Sequence, residues 1–180
     1  FPEEKHRIGK LAASLIEEGD IVFINSGSTA AQVLQNIPNS PRITVYTNNV
    51  SALVDIADPG FHLHLTGGEF QARSNSLGGR FALDNLGMVF ANKAILGVDG
   101  LSLKHGCTVP TSPEAEVVRK MIERTKGQVI VATDHSKWGA VSNFPVADIK
   151  EINKLITDNG LSKKARKELA DKSVEVLIAK

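Results

Sequence analysis

Apolar residues recur along the 180-residue chain with two distinct patterns. Near the start, Ile8, Leu11, Ala12, Leu15 and Ile16 return at helical spacing, and Glu17-Glu18-Gly19-Asp20 closes that segment with a glycine. Beyond it, short apolar runs rich in Val and Ile predict strands over 21–24, 43–47, 61–66, 94–97, 129–133, 155–157 and 174–178. Helical patterns lie between them, over 29–35, 50–57, 77–86, 113–125 and 162–171. The runs are continuous rather than alternating, the mark of strands covered on both faces. Interleaved with helices, they predict an α/β fold: a Rossmann-like, doubly wound, mostly parallel sheet. No internal repeat or linker interrupts the pattern, so a single domain over 1–180 is expected, with small excursions near 68–80 and 136–148.

Composition narrows the picture. Hydrophobic residues make up 42% and charged residues 23%, enough for one full core, and aromatics at 5% make that core aliphatic. The formal net charge of +1 predicts neither a nucleic-acid-binding face nor an acidic tail within this segment. Cys107 is the single cysteine, which rules out an intramolecular disulfide and a cysteine metal cluster, and favours a reducing, cytoplasmic setting. No apolar stretch approaches the roughly 20 residues of a membrane span. The N-terminal FPEEKHR has no signal-peptide core and no initiator methionine, so a further domain is expected upstream.

The chemistry-bearing residues gather where strands end. The exits read Asn25-Ser26-Gly27-Ser28-Thr29, Thr47-Asn48-Asn49, Thr66-Gly67-Gly68, Gly97-Val98-Asp99-Gly100 and Thr133-Asp134-His135-Ser136-Lys137. In doubly wound sheets ligands bind beyond the carboxyl ends of the strands, so five small, hydroxyl- or amide-bearing exits predict a ligand cleft. The first exit suits an anion. Gly27 lets backbone come close, Ser26, Ser28 and Thr29 offer hydroxyls, and the following helix offers free N–H groups and its positive dipole end. It is neither a Walker A loop nor a Gly-x-Gly-x-x-Gly fingerprint. The competing reading is a tight turn capped by Ser28 or Thr29.

Other candidates have two readings each. Thr47 and Asn48 suit ligand oxygens or a helix cap, and Gly67-Gly68 suits close backbone approach or a plain turn. Asp99, flanked by Gly97 and Gly100, suits sugar hydroxyls, a general base, or an Asp-Gly turn. Lys137 suits a phosphate or open solvent. Thr111-Ser112-Pro113-Glu114 reads as a capped helix start, giving Glu114 and Glu116 a structural role in the first turn. His62 and His64 share one strand face, but no third metal ligand accompanies them.

Taken in order, these pieces resemble the C-terminal effector-binding domain of the DeoR family of bacterial transcriptional regulators. The resemblance runs through Glu4–Ala13, Leu15–Asp20, the loop at 25–29, Thr47-Asn48, Gly67-Gly68 and Gly97-Val98-Asp99-Gly100. The Glu114–Ile122 helix start, Asp134-His135-Ser136-Lys137 and Ile156-Thr157-Asp158 complete it, so that it covers essentially the whole chain. It implies a fold related to ribose-5-phosphate isomerase, glucosamine-6-phosphate deaminase and CoA transferases. It also implies a sensor of a phosphorylated sugar or related metabolite, acting on operator DNA only through an upstream winged helix-turn-helix, and assembling as a homodimer or homotetramer. It points to Glu116 over Glu114 as a ligand residue and implies no cofactor. Two departures stand out: Asn25 and Ser28 replace residues of an Asp-x-Gly-Thr-Thr loop, and His135 stands where Ser is common.

The same fold family includes enzymes, so a sugar-phosphate isomerase or deaminase using Asp99 or Glu116 as base is the alternative. Against it, Gly97-Val-Asp-Gly-Leu-Ser carries one acid where those isomerases carry several.

Overall fold

A computed structural model describes residues 1–180. Helix α1 (Pro2–Ser14) leads into β1 (Ile21–Ile24), α2 (Ser28–Gln35), β2 (Thr44–Thr47), the single-turn α3 (Ala52–Asp55) and β3 (His62–Leu65). After a hairpin of β4 (Glu69–Gln71) and β5 (Ser76–Gly78) come α4 (Gly79–Gly87), β6 (Ala91–Leu96), β7 (Gly100–Ser102), β8 (Gly106–Val109) and α5 (Ser112–Glu123). The chain finishes with β9 (Thr125–Ala132), β10 (Phe144–Ala147), β11 (Lys154–Asp158), α6 (Lys163–Asp171) and β12 (Glu175–Ala179).

Seven strands form one sheet in the order β12-β11-β9-β6-β1-β2-β3, with every pairing parallel. The seven strands expected from the apolar runs are these seven. Period-2 geometry sends their side chains to two separate cores. Phe23, Ala94, Leu96, Val129, Val131 and Leu155 face α4, α5 and α6. Val22, Ile24, Ile95, Ile130, Ala132 and Ile156 face α1 and α2. Both faces are covered over the inner strands, which is why those read as continuous apolar runs, whereas the edge strand β3 alternates exposed His62 and His64 with half-buried Leu63 and Leu65.

Ends moved where pairing outweighed local composition. β9 extends back through Thr125–Gln128 because β6 supplies a partner, with Ala91 opposite Thr125 and Lys93 opposite Gln128 across a bulge. The helix expected from residue 77 begins at Gly79, because Ser76–Gly78 pairs with Glu69–Gln71. The helix expected over 50–57 shrinks to one turn, and the chain is already extended at Ile56 ahead of Asp58-Pro59, where proline disfavours helix in the residue before it. The excursions near 68–80 and 136–148 are real. The first is the β4–β5 hairpin, and the second supplies β10 to an antiparallel sheet with β8 and β7.

From β1 the chain steps to β2 and β3. It then returns to β6 on the other side of β1 and continues outward to β9, β11 and β12. The direction of winding therefore reverses between β1 and β6, and the loops leaving these two strands diverge. A crevice opens there.

Candidate functional site

A cleft of about 480 Å³ occupies this switch point. Its floor is the β1 exit. Gly27 holds φ at +114°, a value that L side chains rarely adopt, and a Cβ there would meet nothing within 4 Å. This glycine is the N-cap of α2, and no side chain caps the helix. Ser28 and Thr29 lie inside the first turn instead of capping it. The first N–H groups of α2 are thus left for an external acceptor, whereas Thr111 caps α5 and Ser162 caps α6. Ser26 and Thr29 are only 9% and 8% exposed, yet neither hydroxyl has a partner within the protein and both residues line the cleft.

Two asparagines hold the loop in place. Asn25 Nδ2 donates to Gly97 O at 2.9 Å, and Asn25 Oδ1 accepts from Gly97 N at 2.8 Å. This twin bond ties the β1 exit to the β6 exit across the switch point. Asn49, from the β2 exit, donates to the carbonyls of Asn25 and Gly27, each at 3.4 Å. Its own Oδ1 accepts from Ser51 N and Oγ.

Of the residues expected at the site, Asn25, Ser26, Gly27, Ser28, Thr29, Asp99 and Lys137 line the cleft. Thr47, Asn48, Gly67, Gly68, Gly100 and Glu116 do not, and each has another task or place. Thr47 Oγ1 accepts from Asn49 N, and Asn48 Nδ2 donates to Leu77 O, latching the β4–β5 hairpin to the β2 exit. Gly67 N donates to Asn85 Oδ1, and Gly68, at φ +134°, lies so close to Gly78 that a Cβ would strike its carbonyl oxygen. Gly100 packs against Ala140 and Thr108 with no room for a side chain. Glu116 is exposed on α5, and Glu114 takes the place at the cleft. The helix phase explains this: Glu114, Val118 and Met121 share one stripe, while Glu116 points nearly the opposite way.

Several lining residues lay outside the sequence expectations. Lys5 reaches in from α1, and Arg73, Ser74 and Asn75 from the hairpin turn, while Thr133 comes from the β9 exit already expected at the cleft. The polar Gln71-Ala-Arg-Ser-Asn75 run after Gly67-Gly68 was the available signal for a turn, and Asn75 adopts φ +49° there. Lys5, Arg73 and Lys137 are all free of salt bridges and side-chain hydrogen bonds. The cleft has two acids: Asp99 is exposed, and Glu114 accepts from Thr111 Oγ1 at 2.6 Å.

Lys137 rides on a 3-10 turn (His135–Lys137) fixed from below. His135 N donates to Asp158 Oδ2 at 2.9 Å, and His135 Nδ1 lies 2.7 Å from Asp158 Oδ1. Burial raises the Asp158 carboxyl, but the N–H groups of His135 and Gly160 and the His135 ring outweigh it and hold the carboxyl below its usual range. His135 thus anchors the turn through its ring. That ring also meets Phe1 edge-on at 4.9 Å.

At the opposite end of the sheet, Asp20 is paired with Lys93 at 2.6 Å and accepts from Asn92 and Glu17 N, which hold its carboxyl low against the opposing effect of burial. Cys107 is sealed in β8, and burial, reinforced by the Glu151 charge, pushes its thiol up to about 12. His64 stacks on Tyr46 at 4.5 Å. No helix is long and apolar enough to cross a membrane.

Comparison with known proteins places this geometry among relatives. The family model described as the DeoR C terminal sensor domain matches residues 1–159. The chain is 37% identical over 178 residues to the HTH-type transcriptional repressor GlcR of Bacillus subtilis, covering 98% of this chain and 67% of that protein. It is 28% identical to the HTH-type transcriptional regulator GolR of Listeria innocua, with 98% and 70% covered. It is also 28% identical to a putative aga operon transcriptional repressor of Escherichia coli O157:H7, with 97% and 65% covered. Among solved structures, ribose 5-phosphate isomerase A from Methanocaldococcus jannaschii superposes with TM-score 0.51 at 15% identity, over 74% of this chain and 53% of that one. The eIF2B delta subunit from Chaetomium thermophilum gives 0.58 at 16%, over 85% and 54%. These structural likenesses are likenesses of fold, and the chain spans about half the length of the solved structures it matches.

Proposed function

The chain belongs to the DeoR C-terminal sensor-domain family, and on that premise we propose that its cleft binds a phosphorylated sugar or a closely related metabolite as effector. The observation that carries this reading is the β1 exit. An uncapped helix N-terminus, the hydroxyls of the buried residues Ser26 and Thr29 without internal partners, and two unpaired lysines, Lys5 and Lys137, converge on one cleft. A phosphate accepts from the α2 N–H groups and from Ser26 and Thr29, with Lys137 adding charge. Asp99 accepts from sugar hydroxyls. Binding acts on the whole regulator by favouring the domain arrangement in which this cleft is better formed. DNA contact belongs to an upstream winged helix-turn-helix, in keeping with the near-neutral charge here. The protein works in the cytoplasm as a homodimer or homotetramer, and exposed Phe70, Phe81 and Val54 offer apolar surface for assembly.

No chemistry follows binding. Glu114 is bonded to its own cap residue, leaving Asp99 as the one unengaged acid of the cleft, so a paired acid and base are not in place.

Thermal denaturation against phosphorylated sugars and polyols tests this. A ligand at 100 times its Kd should add about 2.7 kcal/mol of stability, and Lys137→Ala should lose most of that gain without lowering the melting temperature of the free protein. Stabilisation by no phosphorylated compound would remove the effector reading. Turnover of a sugar phosphate that disappears in Asp99→Asn would replace it with an enzyme.

A further inference from the structure

Arg73 is the cleft's unexplained cation. One phosphate on the α2 N-terminus accounts for Ser26, Thr29 and a lysine, and the lysines lie together on one flank. The Phe1–His135 contact brings the first turn of α1, which carries Lys5, against the turn that carries Lys137 beyond β9. Arg73 comes from the other flank. Its hairpin is fastened to the β2 exit by Leu77 N donating to Asn48 O at 2.9 Å, Asn48 Nδ2 donating to Leu77 O at 2.9 Å, and Val50 N donating to Asn75 O at 3.0 Å. In the sheet order β9-β6-β1-β2, three strand spacings separate these flanks, or roughly 14 Å at about 4.8 Å each. The cleft is therefore cationic on both sides of the anion loop, one strand spacing away on the Arg73 side and two on the Lys137 side, and a ligand with two separated anionic groups meets both flanks.

We propose that the effector carries two separated anionic groups: a phosphate at the α2 N-terminus, with Lys137 adding charge, and a second phosphate or a carboxylate read by Arg73. The proposal rests on the phosphorylated-sugar reading above and narrows it to bis-anionic ligands. The guanidinium suits the task, since its planar fork matches a carboxylate or phosphate through two parallel bonds. Between the anions, Asp99 at the β6 exit meets the hydroxylated middle of the ligand. The hairpin latch then has a purpose: Asn48 and Asn49 hold the Arg73 turn and the anion loop to one strand exit, so the distance between the two charge readers is fixed.

Calorimetric titration of the purified protein at constant ionic strength tests the proposal with matched ligands. The monoanionic set is glucose 6-phosphate and fructose 6-phosphate. The bis-anionic set is glucose 1,6-bisphosphate, fructose 1,6-bisphosphate and 6-phosphogluconate. Pyrophosphate, whose charges are adjacent, controls for charge alone. At least one bis-anionic member should bind ten-fold or more tighter than its monophosphate, and tighter than pyrophosphate. Arg73→Gln should erase that difference while leaving monophosphate affinity within about two-fold. A preference confined to 6-phosphogluconate identifies the second group as a carboxylate, and one confined to the bisphosphates identifies it as a phosphate. Equal affinity for both sets, or an equal loss for both sets in Arg73→Gln, overturns the two-anion assignment while leaving the phosphate site standing. If none of the five binds, this assignment falls, while the phosphorylated-sugar reading is decided separately by the broader thermal screen.

Discussion

At residue 25 an amide does what a carboxylate cannot. Gly97 presents both a carbonyl and an N–H to the Asn25 side chain, and the amide answers each with its complement. Aspartate keeps the acceptor and loses the donor, leaving an oxygen against the Gly97 carbonyl. Asn25→Asp should therefore cost about 1–3 kcal/mol, the range for a buried group left unsatisfied, read as a lower urea midpoint. It should also weaken phosphate binding, since the loop loses its tether and gains a negative charge. Unchanged stability in Asn25→Asp would show that the twin bond is not needed. Asn25 is one of the departures from the Asp-x-Gly-Thr-Thr loop, and its side chain is taken up by Gly97 inside the protein. Asp158 makes a pH prediction. Its carboxyl is held below the usual range when folded, so its contribution is complete above the unfolded value of about 3.9 and lost as pH falls through the folded value. Asp158→Asn should lower stability at pH 7 and flatten the loss of stability below about pH 4, both visible in urea titrations across pH.

Among the elements, two helix starts with similar sequences serve different ends. At α5, Thr111 caps its own helix, with Glu114 N donating to Oγ1 at 3.4 Å; at α2, the hydroxyls of the first turn have no such duty. Thr111→Ala should cost about 1 kcal/mol, while Ser28→Ala should change stability by no more than about 0.5 kcal/mol. A stability loss in Ser28→Ala equal to that in Thr111→Ala would make α2 an ordinarily capped helix. The difference lies in one dihedral angle, that of Gly27, which the order of residues does not reveal. The inner strands of the seven-stranded sheet were legible because burial on both faces writes itself into composition, and the edge strand β3 through its alternation of His and Leu. β4, β5, β7, β8 and β10 were not, because these antiparallel strands lack a continuous Val- and Ile-rich run and owe their existence to their partners. Arg73 was hidden for that reason: its position depends on a hairpin held by Asn48 and the Val50 N–H. Glu114 was readable from helix phase alone, against the choice of Glu116 that the resemblance suggested.

For the whole molecule, the sheet sorts charge between its two ends. Asp20, Lys93 and Asn92 satisfy one another at the amino ends of β1 and β6, while at the carboxyl ends Lys5, Arg73 and Lys137 stay unpaired. A near-neutral chain thereby keeps a locally positive cleft, and salt should weaken ligand binding there more than it weakens the fold.

The buried sulfur of Cys107 makes the folded molecule blind to thiol chemistry. A thiol needs its anion to react, and one raised to about 12 and closed off in β8 offers almost none at neutral pH. Ellman's reagent should find no reactive group in the native protein and one per chain in denaturant; prompt native labelling would contradict the packing around β8. A cysteine introduced at Ser74 would then be the only nucleophilic sulfur available. One dye per chain could be placed on the turn beside Arg73 without altering the natural residue, and its emission would follow that turn as ligand arrives.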